Sequence, residues 1–96
     1  MSANVTLGGA SNPFAADSTQ RTATLHLPGG TLYNIGLEVG TAVTVYVDVD
    51  GGTVTAADGG SIPIPVGGSL RLPHSCHGFT FKTASGDSYL KHESPA

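Results

Sequence analysis

Val43-Thr44-Val45-Tyr46-Val47-Asp48-Val49 decides the fold of this chain: valine recurs at every second position from 43 to 49, and the residues between are polar or amphipathic. A period of two is the mark of a strand with one face buried and one face wet. Asp50-Gly51-Gly52 follows, and Gly-Gly and Asp-Gly pairs supply the positive φ angles of tight turns. Outward from this stretch the pattern repeats in shorter pieces. Ala23, Leu25 and Leu27 alternate with Thr22, Thr24 and His26 over Arg21–Leu27, which Pro28-Gly29-Gly30 ends. Thr31–Ile35 reads as the next strand, closed by Asn34 and Gly36, and Thr53–Ala57 as the one after the valine strand.

Further on, Pro63 and Pro65 alternate with Ile62, Ile64 and Val66. Proline cannot donate to a strand ladder, so this segment belongs at a sheet edge, with the three aliphatic residues facing inward together. Gly67-Gly68 turns into Ser69–Leu72, where Leu70 and Leu72 share a face. Phe79 and Phe81 form another inward pair, and Ser85-Gly86-Asp87 reads as a final hairpin turn before Ser88–His92. Nowhere does a 3.6-residue apolar stripe appear. The expectation is an all-β fold: a small antiparallel β-sandwich or barrel of about seven to eight short strands.

The chain has 96 residues, enough for one domain. Residues 1–19, rich in Ser, Ala, Gly and Asn, read as a flexible N-terminal arm with one weak strand at Asn4–Leu7. Residues 20–93 form the expected sandwich domain, and 94–96 a C-terminal tail. Asn12-Pro13-Phe14 is a turn followed by a lone aromatic, which could dock on a neighbouring subunit or pack on its own domain.

Charged residues are only 11% of the chain, well under the roughly 25% of ordinary soluble domains. A surface of small polar groups suits packing against a neighbour; a β-protein simply poor in Lys and Glu has the same composition. The net charge is −3, and the four basic residues, Arg21, Arg71, Lys82 and Lys91, are scattered. That gives no patch to neutralise phosphates, so no nucleic-acid partner is expected. No apolar run approaches a membrane span, and MSANVTLGG lacks the basic and apolar regions of a signal peptide. A single cysteine, Cys76, excludes an internal disulfide.

His74-Ser75-Cys76-His77 is the densest group of metal-ligand side chains, and His92 or His26 could join it from a neighbouring strand. The spacing matches no zinc pattern, and no resident metal or other cofactor is expected. The alternative is a polar loop whose Cys76 turns inward, or a symmetry axis that gathers His74 or His77 from several subunits. Asn12, Pro13, Phe14, His74 and His77 are therefore the candidate interface residues. Catalysis finds little support. Cys76 beside a histidine, or Ser75 or Ser88 with a histidine and Asp87, supplies the letters of a nucleophilic site but no strand-to-helix junction to hold one. Asp48, Asp50 and Asp58 begin like a calcium loop, but the position expected to carry its bidentate acid is Gly59. Tyr33, Tyr46 and Tyr89 could stack on sugars, a thin platform in a chain without tryptophan.

The order of blocks carries a resemblance. LYNIG (Leu32–Gly36) precedes the valine strand; VTAADGGSIPIPVGGSLRLP (Val54–Pro73) follows it, and ASGDSYL (Ala84–Leu90) closes the series. Over residues 21–92 this resembles small β-sandwich structural proteins of tailed bacteriophages. The matching positions are Asn34 and Gly36; Ala56 and Ala57; Pro65, Gly67, Ser69 and Leu70; Ala84, Gly86 and Leu90. The His-Ser-Cys-His loop departs from that pattern. The resemblance implies a virion part made in the host cytoplasm: a capsid decoration or cement protein, or a head-tail accessory subunit, without catalytic residues. Its partners would be the major capsid protein or other virion subunits, and it would be a homo-oligomer, a trimer first and a dimer second. The rival readings are a tail-fibre module that binds receptor glycan and a small metal-binding, cupin-like protein.

Overall fold

The computed structural model describes residues 5–7, 13–37, 40–57 and 60–94, and among them there is no helix. The strands are β1 (Val5–Leu7), β2 (Phe14–Ala16), β3 (Arg21–Leu25), β4 (Thr31–Gly36) and β5 (Val45–Asp48). They continue with β6 (Ile62–Ile64), β7 (Ser69–Arg71), β8 (Gly78–Thr83) and β9 (Ser88–Glu93). Sheet A runs β1-β3-β8-β5-β6 and sheet B runs β2-β9-β4-β7. Eight strands pair antiparallel, four to a sheet, and β1 adds to the edge of sheet A parallel to β3. The fold is a small all-β sandwich.

The core lies between the two sheets, and the sequence alternation fixes what enters it. Val45 and Val47 from β5, Phe79 and Phe81 from β8, and Ala23 and Leu25 from β3 line it from sheet A. Leu32 and Leu90 meet them from sheet B. Phe79 and Phe81 stack at a tilt with centroids 5.8 Å apart. Each fully buried aromatic of this kind contributes about 2–3 kcal/mol by removing apolar area from water.

Phe14 departs from the expected arm. Its ring is buried and meets Phe81 edge-on at 5.4 Å, while β2 pairs with β9 through Phe14↔Leu90 and Ala16↔Ser88. The sandwich therefore begins before residue 20, and Phe14 is a core residue rather than an interface residue. The reason is local: Phe-Ala-Ala alternates a large and a small inward side chain, which suffices for an edge strand over a phenylalanine-rich core. Asn12 lies outside the described residues.

Four further expectations are corrected by position. Leu27 lies beyond the end of β3 and is exposed, as is Val66 beyond β6. Ile62 shares the inward side with Ile64, opposite Val47, but at the open edge it stays 40% exposed. Thr53–Ala57 forms no strand. The Ser85-Gly86-Asp87 turn exists, with Gly86 at φ +83°, but it joins β8 in sheet A to β9 in sheet B. It is an arch between layers, not a hairpin.

Candidate interaction face

The sandwich has two outer faces, and they differ. On sheet A, Thr80 points outward between the inward Phe79 and Phe81, yet it is buried, because its hydroxyl donates to the carbonyl of Gly52 at 2.6 Å. The Gln20 side chain accepts a hydrogen bond from the Val54 amide at 2.7 Å. Val54 is buried without belonging to the core between the sheets. Residues 52–54 thus lie over part of sheet A and cover it.

Sheet B has no such cover among the described residues. The strand register sets its outer side chains in rows. Tyr33 on β4 lies opposite Lys91 on β9 and Ser69 on β7. Thr31 lies opposite Glu93 on one side and Arg71 on the other. Tyr89 and Ile35, 41% and 49% exposed, occupy the third row beside Ala15. Pro13, Leu37, Ile35 and Tyr89 line a cleft of about 410 Å³. A second cleft, of about 490 Å³, runs past Tyr33, Lys91 and Glu93, and a third, of about 350 Å³, past Arg71, His74 and Glu93. The face grades from aliphatic and aromatic at one end to charged at the other.

Asn34 makes this face what it is. It is buried beneath the face, and its side-chain amide donates to the carbonyls of Val43 (3.0 Å) and Ile64 (2.8 Å). Its carbonyl oxygen accepts from the Gly36 amide (3.2 Å) and from the Ser88 hydroxyl. All of its hydrogen-bonding groups are thus engaged, as burial demands. The β4–β9 register shifts between Asn34 and Gly36, and Gly36 takes φ +82°, a conformation side chains disfavour. A Cβ there would also come within 3.3 Å of Val66. Ile35 sits at this bulge and faces solvent, on the outward side that β4's alternation already gives Thr31 and Tyr33. Ser88 is fully buried and its hydroxyl donates to Asn34 rather than to a histidine.

The electrostatics of the face are sparse. The Tyr33 hydroxyl is hydrogen-bonded to Glu93, and that bond, more than burial or charge, raises the phenol above its ordinary pKa. Among the described residues the Arg71 side chain has no ion pair.

The candidate ligands of the histidine-cysteine loop go separate ways. Cys76 is buried and its thiol donates to the carbonyl of Gly78 at 3.2 Å; burial pushes its pKa up. His74 and His77 are exposed, whereas His92 is buried in β9. The ring Nε2 of His92 lies 2.9 Å from the Gly29 carbonyl, which can only accept, so Nε2 carries the proton. Its Nδ1 has no hydrogen-bond partner among the described residues. No group of three His, Cys, Asp or Glu side chains comes together among the described residues. Asp48 instead caps its own turn, accepting from the Asp50 amide at 2.8 Å, and Asp58 lies outside the described residues. Of the tyrosines, Tyr33 and Tyr89 share the outer face of sheet B, while Tyr46 lies on sheet A.

Compared with protein-family models, with curated proteins and with solved structures, the chain matches none.

Sequence reasoning named Pro13 and His74, which border this face, but not Ile35, Tyr89, Arg71 and Glu93 as a group. The available signal was Ile35, an aliphatic residue at the outward parity of a strand whose inward partners are Leu32 and Asn34.

Proposed function

We propose that this protein is a non-enzymatic structural subunit of a bacteriophage virion, a capsid decoration or cement protein that assembles on the shell with virion subunits, its own copies among them, through the outer face of sheet B. The observation that carries the protein-binding part is the pairing of exposed Ile35 and Tyr89 with Pro13 and Leu37 on an uncovered sheet. Exposed apolar patches rimmed by polar groups mark protein-binding surfaces. The virion part is supported by the resemblance of residues 21–92 and by the low charge. A subunit that binds only the assembled shell stabilises it by mass action. Co-sedimentation with capsids that lack the protein tests this: the wild-type chain travels with the shell, and Ile35→Ser/Tyr89→Ser does not. A chain that neither sediments with capsids nor occurs in purified virions overturns the reading.

A second reading has its own observation. Tyr33 and Tyr89 share a face with Arg71, His74 and Glu93, a combination that can stack on a sugar and hydrogen-bond its hydroxyl groups. This is the receptor-glycan alternative, and a glycan-binding screen that finds no ligand removes it.

A further inference from the structure

The rows of sheet B's outer face carry a symmetry that names a partner. Thr31 on β4 is flanked at one level by Glu93 on β9 and by Arg71 on β7, each directly in register. The two opposite charges thus sit one strand spacing, about 4.8 Å, to either side of β4. We infer that a second copy of this chain packs face to face on sheet B about a two-fold axis running along β4. This rests on the reading of that face as the protein's assembly surface and specifies its occupant.

A two-fold axis parallel to β4 keeps the level along the strand and exchanges the two sides. Each Glu93 then faces the partner's Arg71, and each Arg71 the partner's Glu93, giving two equivalent ion pairs. Ile35 and Tyr33, on the axis strand, each meet their own counterpart, so apolar meets apolar and aromatic meets aromatic. Tyr89 falls over the turn that carries the exposed Val66. An axis perpendicular to the strands does the opposite: it sets the charged row against the Ile35 row. The self-complementary arrangement is the isologous one expected of a two-fold contact. It also falls within the aligned class of sheet packing, in which mean strand directions stay within about 30° of each other. Glu93 has acceptor capacity left after its bond with Tyr33, because a carboxylate takes several donors.

The size of the face sets the strength. An axis over β4 brings β9, β4 and β7 of each copy together and leaves β2 outside; three strands about 4.8 Å apart and about five residues long at about 3.3 Å each span a footprint of about 240 Å². A standard interface covers about 800 Å² per partner, so the dimer is concentration-dependent rather than permanent. The rim pairs then serve register more than affinity.

Sedimentation velocity of the full chain across a wide concentration range, at low salt, tests the inference by charge reversal. The wild type shows a monomer–dimer equilibrium. Arg71→Glu and Glu93→Arg each weaken it at least about tenfold, and the double reversal Arg71→Glu/Glu93→Arg restores it, with circular dichroism confirming that every variant is folded. A wild type that stays monomeric overturns the inference, as does a trimer, or a double variant no better than the singles. Capsid binding by a strictly monomeric chain would defeat the two-fold contact and leave the decoration reading standing. A dimer that ignores capsids would do the reverse.

Discussion

Lys82 and Lys91 sit in matched positions on opposite sides of the molecule. Lys82 on β8 lies across the strand pair from Tyr46, and Lys91 on β9 lies across from Tyr33. Both lysines are half-buried. Their surroundings differ. The sheet A face is partly closed by residues 52–54, fixed by Gln20 and Thr80. The sheet B face is open, and Ile35 stands outward on it beside the bulge that follows the buried Asn34. The same strand chemistry thus yields one face partly covered within the chain and one left open.

The comparison can be broken first at the shared core, where both faces must respond alike. Val45→Asp buries an unpaired charge at a fully enclosed site and is expected to unfold the domain, read as loss of the sheet signal in circular dichroism. Phe14→Ala comes next. It removes an edge-on ring from Phe81, costs about 3 kcal/mol, and shows as a lower melting temperature. By the same logic, deleting residues 2–19 destabilises the sandwich instead of merely trimming an arm. Asn34→Ala leaves the Val43 and Ile64 carbonyls and the Ser88 hydroxyl without their partner and is expected to cost about 2–4 kcal/mol in denaturant unfolding. It acts between the sheets, because Asn34 in sheet B holds the Ile64 carbonyl of β6 in sheet A.

The smaller effects separate the faces. Thr80→Val removes the hydroxyl that holds Gly52, costs about 1 kcal/mol, and speeds amide exchange at Val54 without affecting association. Ile35→Ser on the other side changes stability by less than about 0.5 kcal/mol but reduces association. If Thr80→Val impaired association as much as Ile35→Ser, the distinction between the two faces would be lost.

Much of the fold was legible in the sequence, and the losses have physical causes. Alternation at Val45 and Val47 and at Phe79 and Phe81 reports two faces whatever the neighbouring strand is. The prolines around Ile64 mark an edge because they lack a donor. What alternation does not report is which sheet a strand joins, so the Gly86 arch looked like a hairpin turn. Val66 and Leu27 continue an inward pattern past the end of the paired strand, where the chain has already turned away. Phe14-Ala15-Ala16 is too short for a periodic signal, and its burial comes from contact with Phe81, far off in sequence. The interaction face was the least legible part. It depends on cross-strand neighbours such as Glu93, Thr31 and Arg71, which meet only through register, and on Asn34, which reads as an ordinary strand-closing residue until its partners are known.

The central claim is that the open face of sheet B, not the covered face of sheet A, is the one that binds. Amine acetylation followed by mass spectrometry tests it on the two matched lysines in one sample. In the associated protein, Lys91 is expected to react several-fold more slowly than in dilute monomer, while Lys82 keeps its rate. Association that leaves Lys91 unchanged, or that protects Lys82 instead, would contradict the account.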